Sequence, residues 1–324
     1  MTLMKLAELA GTSVATVSKA FSGSREISEE TRERIYDIAR REGCFDKYYK
    51  APRTRPLVAL LCPEPESEYY AKEIGILERA LNARGADAVI AFTRFDPERE
   101  ARLFRELAYQ MNVDGVVIWG SGRLIQNVDE LPLVALTAGE TSPKNGDAVG
   151  RDTKGAMLRL VEIIKDYGHT EVGFIGEPLT LSKERLFKNA MRQVGLPVQD
   201  RYVVTSSRRF AEAGEDCMRE LIERGQLPGV IVAAYDQIAY GAMRYAQEKG
   251  YRVPEDISFV GMDDISVTPY LGVPLSSIHV NLEDVCAQVV DLLFRRMENR
   301  HYRGRTRITI PVTVKLRDSL IRKK

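Results

Sequence analysis

Side chains that could contact a DNA duplex are concentrated near the start of the chain. Val14 and Ala15 could pack against thymine methyl groups, and Lys19 could donate to guanine acceptors in the major groove. Hydroxyl groups that suit phosphate contact stand beside them, on Ser13, Thr16, Ser18 and Thr31. This combination of hydroxyl, apolar and cationic groups on one short segment predicts a nucleic-acid contact surface.

Two short helices must position these groups. Helical spacing predicts them over about 4–10 and 14–21, around a turn at Gly11, which can adopt positive φ without a Cβ clash. Thr2 and Ser13 can cap the two helices because their hydroxyl oxygens can accept from backbone N–H groups of the first turn. The inward side of the second helix is predicted to hold Val17, Ala20 and Phe21.

A third helix is predicted to begin at Ser28 and to end at Gly43. Two helices around a tight turn followed by a third are typical of a helix-turn-helix domain, which places one helix in the major groove. The alternative is a three-helix cap without a nucleic-acid role. Charge does not separate the two, because residues 1–56 hold eleven Lys or Arg and eight Asp or Glu, a net charge of only +3.

A second group of chemically capable residues follows short apolar runs later in the chain. Carboxylates accept hydrogen bonds from hydroxyl groups, a guanidinium donates in a fork, and an indole face packs on C–H groups. The group comprises Trp119, Asp152, Arg185, Asp236 and Asp263. Together these types predict a site for a polyhydroxylated ligand. Each Asp also precedes a predicted helix, so helix N-capping is the alternative for each of them.

Apolar runs alternate with helical segments from Leu57 onward. Runs such as 57–61 and 115–119 are apolar without alternation, which predicts parallel strands covered on both faces. The rhythm restarts near residue 152, so two similar α/β halves with a cleft between them are expected, and ligands bind at the carboxyl ends of such strands. The predicted fold is an all-α helix-turn-helix head and a two-lobed α/β core of parallel sheets flanked by helices.

Composition excludes several other classes. The chain has 324 residues, 44% hydrophobic and 29% charged, with a net charge of +1, which fits a globular protein of two or three domains. Its four cysteines and three histidines lack the spacing of a metal site, so no metal, cofactor or disulfide is expected, and reduced thiols fit a cytoplasmic protein. Neither a membrane span nor a signal peptide is expected. No dinucleotide, P-loop or nucleophile–base motif indicates an enzyme.

The segment from Leu6 to Lys19, with 27–32, resembles the DNA-binding domain of the LacI/GalR family of bacterial repressors. Segments 167–176, 236–242 and 250–264 resemble the family core, so the likeness extends over nearly the whole chain. It implies base contacts from Val14, Ala15 and Lys19. It implies phosphate contacts from Thr2, Ser13, Thr16, Ser18, Ser22 and Thr31.

The same resemblance implies a site for an effector between the lobes. Effector contacts are expected from Asp152, Arg185, Asp236 and Asp263. Walls are expected from Tyr69, Tyr70, Trp119 and Phe210. The family core is similar to periplasmic sugar-binding proteins, whose chain crosses between lobes three times. The expected organisation is a head at 1–45, a linker at 46–56 and a core at 57–324, with a first lobe at about 57–166 and 280–309 and a second lobe at about 167–279 and 310–324.

The linker departs from the family. Relatives carry a hinge helix whose leucine enters the minor groove and bends the operator, and no such leucine is present here. Tyr48 or Tyr49 could take its place. Basic side chains could lie along phosphates or belong to a solvated tether, and they are Lys47, Lys50, Arg53 and Arg55.

The sequence thus predicts a ligand-responsive repressor that acts as a homodimer on a pseudo-palindromic operator. The effector is expected to be a small molecule, with a carbohydrate as the first choice. The alternative is a solute-binding or sensor protein without a transcriptional role.

Overall fold

The structure is a computed structural model that describes residues 1–22, 24, 26–49, 54–120, 122–125, 131–137, 146–299 and 304–323. Part of the predicted linker, including Lys50 and Arg53, lies outside these residues. The chain forms two compact units, Met1–Pro56 and Leu57–Lys324. We refer to them as the head unit and the core unit.

The described residues of the head unit form four helices, whose bounds are α1 Leu3–Leu9, α2 Val14–Phe21, α3 Glu29–Arg41 and α4 Phe45–Tyr48. The predicted caps are present, since Thr2 Oγ1 accepts from Lys5 N at 3.2 Å and Ser13 Oγ accepts from Thr16 N at 3.0 Å. Gly11 adopts φ +58° between the first two helices. The predicted helix-turn-helix arrangement is therefore confirmed, with helix ends within a residue or two of those expected.

An aromatic cluster closes the head unit beyond its predicted end at residue 45. Phe21 and Tyr36 are buried with ring centroids 5.3 Å apart. Tyr48 lies 5.8 Å from Phe21 and donates from its hydroxyl to Met1 O at 2.8 Å. Tyr49 stacks on Phe45 at 4.6 Å. Both tyrosines thus pack on the head, because aromatic rings gain more from this apolar surface than from solvent, and the structure gives no support to either as a groove wedge.

The first lobe of the core unit is built on a six-stranded parallel sheet with the order β11-β5-β4-β3-β1-β2. Its strands are β1 Leu57–Cys62, β2 Asp87–Phe92, β3 Gly115–Trp119, β4 Leu133–Thr137, β5 Asp147–Arg151 and β11 Arg307–Ile310. Its helices are α5 Glu68–Ala83, α6 Pro97–Arg105, followed by a π-helical turn at Glu106–Gln110, and α11 Leu282–Glu298. Central strands such as β3 are buried throughout because helices cover both faces.

The second lobe is built on a second six-stranded sheet with the order β12-β10-β9-β8-β6-β7, parallel except where β12 pairs antiparallel with β10. Its strands are β6 Val172–Gly176, β7 Val203–Thr205, β8 Val230–Ala233, β9 Ser258–Asp263, β10 Ser276–Val280 and β12 Val312–Lys315. Its helices are α7 Thr153–Asp166, α8 Leu181–Val194, α9 Phe210–Glu223 and α10 Asp236–Glu248, with 3₁₀ turns at Pro178–Thr180, Asp200–Tyr202 and Thr268–Tyr270. Two such lobes confirm the predicted fold class.

The chain passes between the lobes at Asp152, at Asn281 and at Pro311, because the flanking elements belong to different sheets. The first crossing is earlier than the expected end of the first segment at 166. Helix α7 packs on α8, β10 and β12 of the second lobe, and Arg159 Nη2 donates to Val312 O at 2.5 Å. The apolar stripe of α7, which includes Met157 and Leu160, is buried there.

Within the described ranges, no helix combines the length and the apolar character needed to span a bilayer.

Candidate functional site

The head unit presents its predicted DNA contacts at helix starts and on the outer side of α2. Val14 is 43% exposed, and Ala15, Ser18, Lys19 and Ser22 are exposed as well. Thr2, Ser13, Thr16 and Thr31 lie at the first turns of α1, α2 and α3, where unpaired backbone N–H groups and the helix dipole favour anions. All nine predicted residues are therefore on accessible parts of the head.

The amine of Lys19 has a partner that the sequence analysis did not identify. Its Nζ is in contact with the carboxylate of Glu26, and both side chains are exposed. The hydrogen bond and the positive charge of Lys19 lower the pKa of Glu26, which keeps Glu26 ionised at neutral pH. An anionic group thus lies directly beside the one cation predicted to contact a base.

The core unit contains a cavity of about 280 Å³ at the carboxyl ends of strands from both lobes. Five of the eight residues predicted to contact an effector line it, namely Tyr69, Tyr70, Trp119, Phe210 and Asp263. They come from α5, β3, α9 and β9, so the cavity lies where parallel sheets place ligands. Burial raises the pKa of both tyrosine hydroxyls, so these groups stay protonated and can donate.

The other three predicted contacts are not among the residues that line the cavity. Asp152 Oδ1 accepts from Gly155 N at 2.9 Å, so this residue caps α7, as its alternative interpretation held. Asp236 is 1% exposed and accepts from Ile265 N at 2.8 Å and from Ser277 Oγ at 2.6 Å. Arg185 is exposed on α8. Burial raises the pKa of Asp236, and its two bonds tie loops and strands of the second lobe together.

A buried acidic group supports the wall of the first lobe. Glu73 on α5 is fully buried and accepts from Trp119 Nε1 at 2.6 Å, and its second oxygen accepts from Arg151 Nη2. Burial alone would lower the pKa of Arg151. The negative charge of Glu73 and its hydrogen bond outweigh this effect of burial, so the pKa of Arg151 is raised. Arg151 also lies 5.7 Å above the ring of Tyr69, and its buried Nε has no hydrogen-bond partner. Glu73 therefore fixes both the indole and the guanidinium that line the cavity.

A second charged group spans the cavity. Arg209 donates to Glu64 from both terminal nitrogens, with Nη2–Oε1 at 2.8 Å, and its Nε lies 3.3 Å from Glu177 Oε1. Tyr235 donates to Glu177 at 3.3 Å. The hydrogen bond to Glu64 raises the pKa of Arg209. Both glutamates are almost completely buried, so the guanidinium neutralises charges that water cannot reach.

Lys183 supplies the third cation of the cavity. Its Nζ donates to Ala234 O at 2.8 Å and lies 3.5 Å from Asp263 Oδ1. Asp263, the last residue of β9, adopts φ +97°, a conformation that L-residues rarely take. The backbone at this position turns the carboxylate toward the cavity, and backbone strain of this kind is typical of functional sites.

Comparison with known proteins assigns both units. Residues 2–43 match the family of bacterial regulatory proteins of the lacI type, and residues 161–320 match the periplasmic binding protein-like domain. The ribose operon repressor of Haemophilus influenzae is 28% identical over 331 aligned positions, covering 98% of each chain. The transcriptional repressor PurR of Pasteurella multocida is 26% identical, covering 92% of each chain.

A solved structure described as a transcriptional regulator CelR–cellobiose complex is 27% identical, with a TM-score of 0.69, and covers 99% of this chain and 100% of its own. The relatives are transcriptional repressors, and both halves of the architecture are matched over almost the full length. The chain therefore combines a lacI-type DNA-binding domain with a periplasmic binding protein-like domain and is a ligand-responsive, DNA-binding transcriptional regulator.

Proposed function

We propose that the cavity of the core unit binds the effector and that this effector is a neutral carbohydrate. The observation that carries the proposal is the lining itself, which combines aromatic faces with charges that are already paired. Rings from Tyr69, Trp119 and Phe210 offer flat apolar surface for the C–H faces of a sugar. Asp263 and the tyrosine hydroxyls offer acceptors and donors for its hydroxyl groups.

The charge pairing favours a neutral ligand over an anionic one. Each cation that the described residues contribute to the cavity contacts a carboxylate: Arg151 pairs with Glu73, Arg209 with Glu64 and Glu177, and Lys183 with Asp263. A phosphorylated sugar would have to displace one of these carboxylates from a buried cation, which leaves a charge uncompensated. A hydroxyl group can join the existing pairs without disturbing their balance.

The size of the cavity favours a single sugar ring. Its volume of about 280 Å³ lies just below the usual range for small-molecule pockets, roughly 300–1,000 Å³. Two of the relatives have sugar-related names, one the repressor of a ribose operon and one in complex with cellobiose. These names support a sugar class but leave the individual sugar open.

On the DNA side, we propose that a homodimer places one head on each half of a pseudo-palindromic operator. Val14, Ala15 and Lys19 contact base edges from the outer side of α2. Phosphates are held by the hydroxyl groups of Thr2, Ser13, Thr16, Ser18, Ser22 and Thr31. The effector changes operator affinity by the difference between its affinities for two arrangements of the core.

The test is a binding screen with the full-length protein. Thermal shift followed by calorimetric titration should detect at least one neutral monosaccharide, because a ligand that binds the folded state stabilises it by mass action. The same sugar should change operator affinity in a gel-shift assay, and the matching sugar phosphate should bind more weakly. Tighter binding of the phosphate than of the neutral sugar would overturn the proposed class.

A pair of variants tests the assignment of residues. Asp263→Ala should abolish the response to the sugar while operator binding without sugar is retained. Asp152→Asn keeps a capping side chain outside the cavity and should leave the response unchanged. A full response in Asp263→Ala, or its loss in Asp152→Asn, would show that the effector binds elsewhere.

A further inference from the structure

We propose that Glu64 and Arg209 form a latch across the cleft, which holds the two lobes of the core unit together and sets how readily they separate. The inference concerns regulation of the cavity and rests on the proposed function for its link to the effector. The latch itself follows from contacts between the lobes.

The two partners come from different lobes. Glu64 follows β1 at the carboxyl end of the first sheet, and Arg209 immediately precedes α9 of the second lobe. The contact is a bidentate ion pair, in which each terminal guanidinium nitrogen of Arg209 donates to one carboxylate oxygen of Glu64. Glu64 is 3% exposed, so the pair is shielded from water on the carboxylate side. Buried pairs of this geometry are screened by salt much less than surface pairs.

The two partners depend on closure to different degrees. Arg209 has a second carboxylate, Glu177, in its own lobe, and its guanidinium lies 4.5 Å above the ring of Phe210. Within the described residues, Arg209 is the only cation in contact with Glu64. Arg209 is thus held in place by its own lobe, whereas the direct ion pair of Glu64 forms only when the lobes are together.

An aromatic contact accompanies the ion pair. Phe95 of the first lobe lies 5.5 Å from the Arg209 guanidinium, on the same group that contacts Phe210 of the second lobe. The guanidinium therefore lies near one ring from each lobe. Arginine suits this position because its planar, weakly hydrated cation can contact aromatic rings while it donates to carboxylates, which an ammonium group does less well.

A second connection between the lobes lies outside the lining of the main cavity. Glu68 Oε1 at the start of α5 accepts from the backbone N of Ser266 at 2.8 Å and from its hydroxyl at 2.5 Å. Ser266 belongs to the loop after β9 in the second lobe. These are two separate side-chain contacts between the lobes, in addition to the three crossings of the chain, and the one at Glu68 can be altered without touching the cavity.

The physics of buried ion pairs gives the latch a distinctive signature. Removing one partner leaves an unpaired buried charge, whereas replacing both partners by apolar groups can be neutral or stabilising. Arg209→Met should therefore shift the core toward an open arrangement, because opening hydrates Glu64. The double variant Glu64→Leu/Arg209→Met should return toward the closed arrangement, because the only carboxylate it leaves without its cation is Glu177, which keeps the hydrogen bond from Tyr235. Simple loss of a contact would instead make the double variant at least as open as the single one.

The experiment measures lobe separation in the full-length protein without any sugar. Spin labels at Glu78→Cys on the first lobe and Asp200→Cys on the second report the distance by pulsed electron resonance; both positions are exposed. We expect a narrow distribution in the parent protein, a shifted or broader one in Arg209→Met and recovery in the double variant. Arg208→Gln is the matched control, because Arg208 pairs with Asp216 inside its own lobe and should leave the distance unchanged.

Two further variants keep the outcome decisive. If Arg209→Met fails to fold, Glu64→Gln replaces it, since the amide keeps the shape but loses the charge. Ser266→Ala should loosen the lobes to a smaller extent without altering the cavity lining. The latch would be overturned if Arg209→Met gave the same distance distribution as the parent protein. If Glu64→Gln has to be used instead, the same result in that variant would overturn it. Failure of every sugar to bind would overturn the proposed effector site and leave these distance measurements valid.

Discussion

The head unit and the core unit place their functional residues by different means. In the head, a hydroxyl such as Ser13 is fixed by a hydrogen bond to Thr16, only three residues along the chain. In the core, Arg209 is fixed by Glu64, 145 residues away, and Arg151 by Glu73, 78 residues away. The contrast shows why all nine predicted contacts of the head are accessible, whereas only five of eight predicted contacts line the cavity.

The largest expected effect tests whether the head unit and the core unit unfold independently. Phe21→Ala removes a buried ring from the aromatic cluster of the head and should cost about 3–5 kcal/mol, enough to unfold so small a unit. Operator binding should be lost while the core keeps its own unfolding transition in calorimetry. Leu9→Ala, at a position 46% exposed, is the control and should bind normally. Retained operator binding in Phe21→Ala would contradict the role of this cluster.

A second prediction distinguishes the units by pH. Glu100 on α6 is 8% exposed, and burial raises its pKa from 4.5 to about 7. The folded core keeps this proton between those pH values while the unfolded chain releases it, so core stability falls as pH rises through that window. Glu100→Gln should therefore add up to about 3 kcal/mol at pH 8 and little at pH 4.

Urea unfolding of the full-length protein at both pH values measures this effect. The control is Glu98→Gln, an exposed residue of the same helix, which should leave the pH dependence unchanged. The head transition should not move, because the described part of the head buries no carboxylate. If the stability of the core in Glu100→Gln falls with pH as steeply as in the parent protein, the raised pKa of Glu100 is contradicted.

The third prediction concerns recognition by the head. Lys19→Ala should weaken operator binding by about 1–3 kcal/mol and relax the preference at one base pair. Gel shifts with operators altered at single positions measure both quantities. Arg41→Ala is the control. It removes an exposed cation at the C-terminal end of α3 and should weaken operator binding less than Lys19→Ala does. Equal weakening by Lys19→Ala on every duplex would indicate phosphate contact in place of base contact.

The smallest effect is expected from Glu26→Gln. The carboxylate of Glu26 is in contact with Lys19 and adds negative charge beside the proposed DNA surface. Its neutralisation should tighten binding slightly, since exposed ion pairs contribute little. Titration on an operator and on an unrelated duplex measures the gain, which should shrink when Lys19 is already Ala. The same gain in both backgrounds would show that Glu26 acts by overall charge alone.

The sequence was sufficient wherever the signal is local or follows from strand order. Caps at Thr2 and Ser13 and the glycine turn define the head, and the ends of parallel strands correctly located Trp119 and Asp263 at the cavity. Glu177, which directly follows β6, has the same kind of position as Asp263 and could have been found by the same signal.

Other features were out of reach because they depend on contacts between distant segments. No spacing connects Glu64 to Arg209, and none shows that α7 covers the second sheet. Asp236 illustrates the point, because its carboxylate neither caps a helix nor lines the cavity. It joins the loop after β9 to β10 instead, a partnership that only the assembled sheet reveals.

The position of β11 has a consequence for biogenesis. This strand completes the edge of the first sheet, yet in the chain it follows five of the six strands of the second lobe. During synthesis, the first lobe stays without that strand until Ile310 has left the ribosome, whereas the head is complete once Tyr49 has emerged. Domains fold as units from the N-terminus onward as they are synthesised, so a nascent chain acquires a finished head long before a finished receptor.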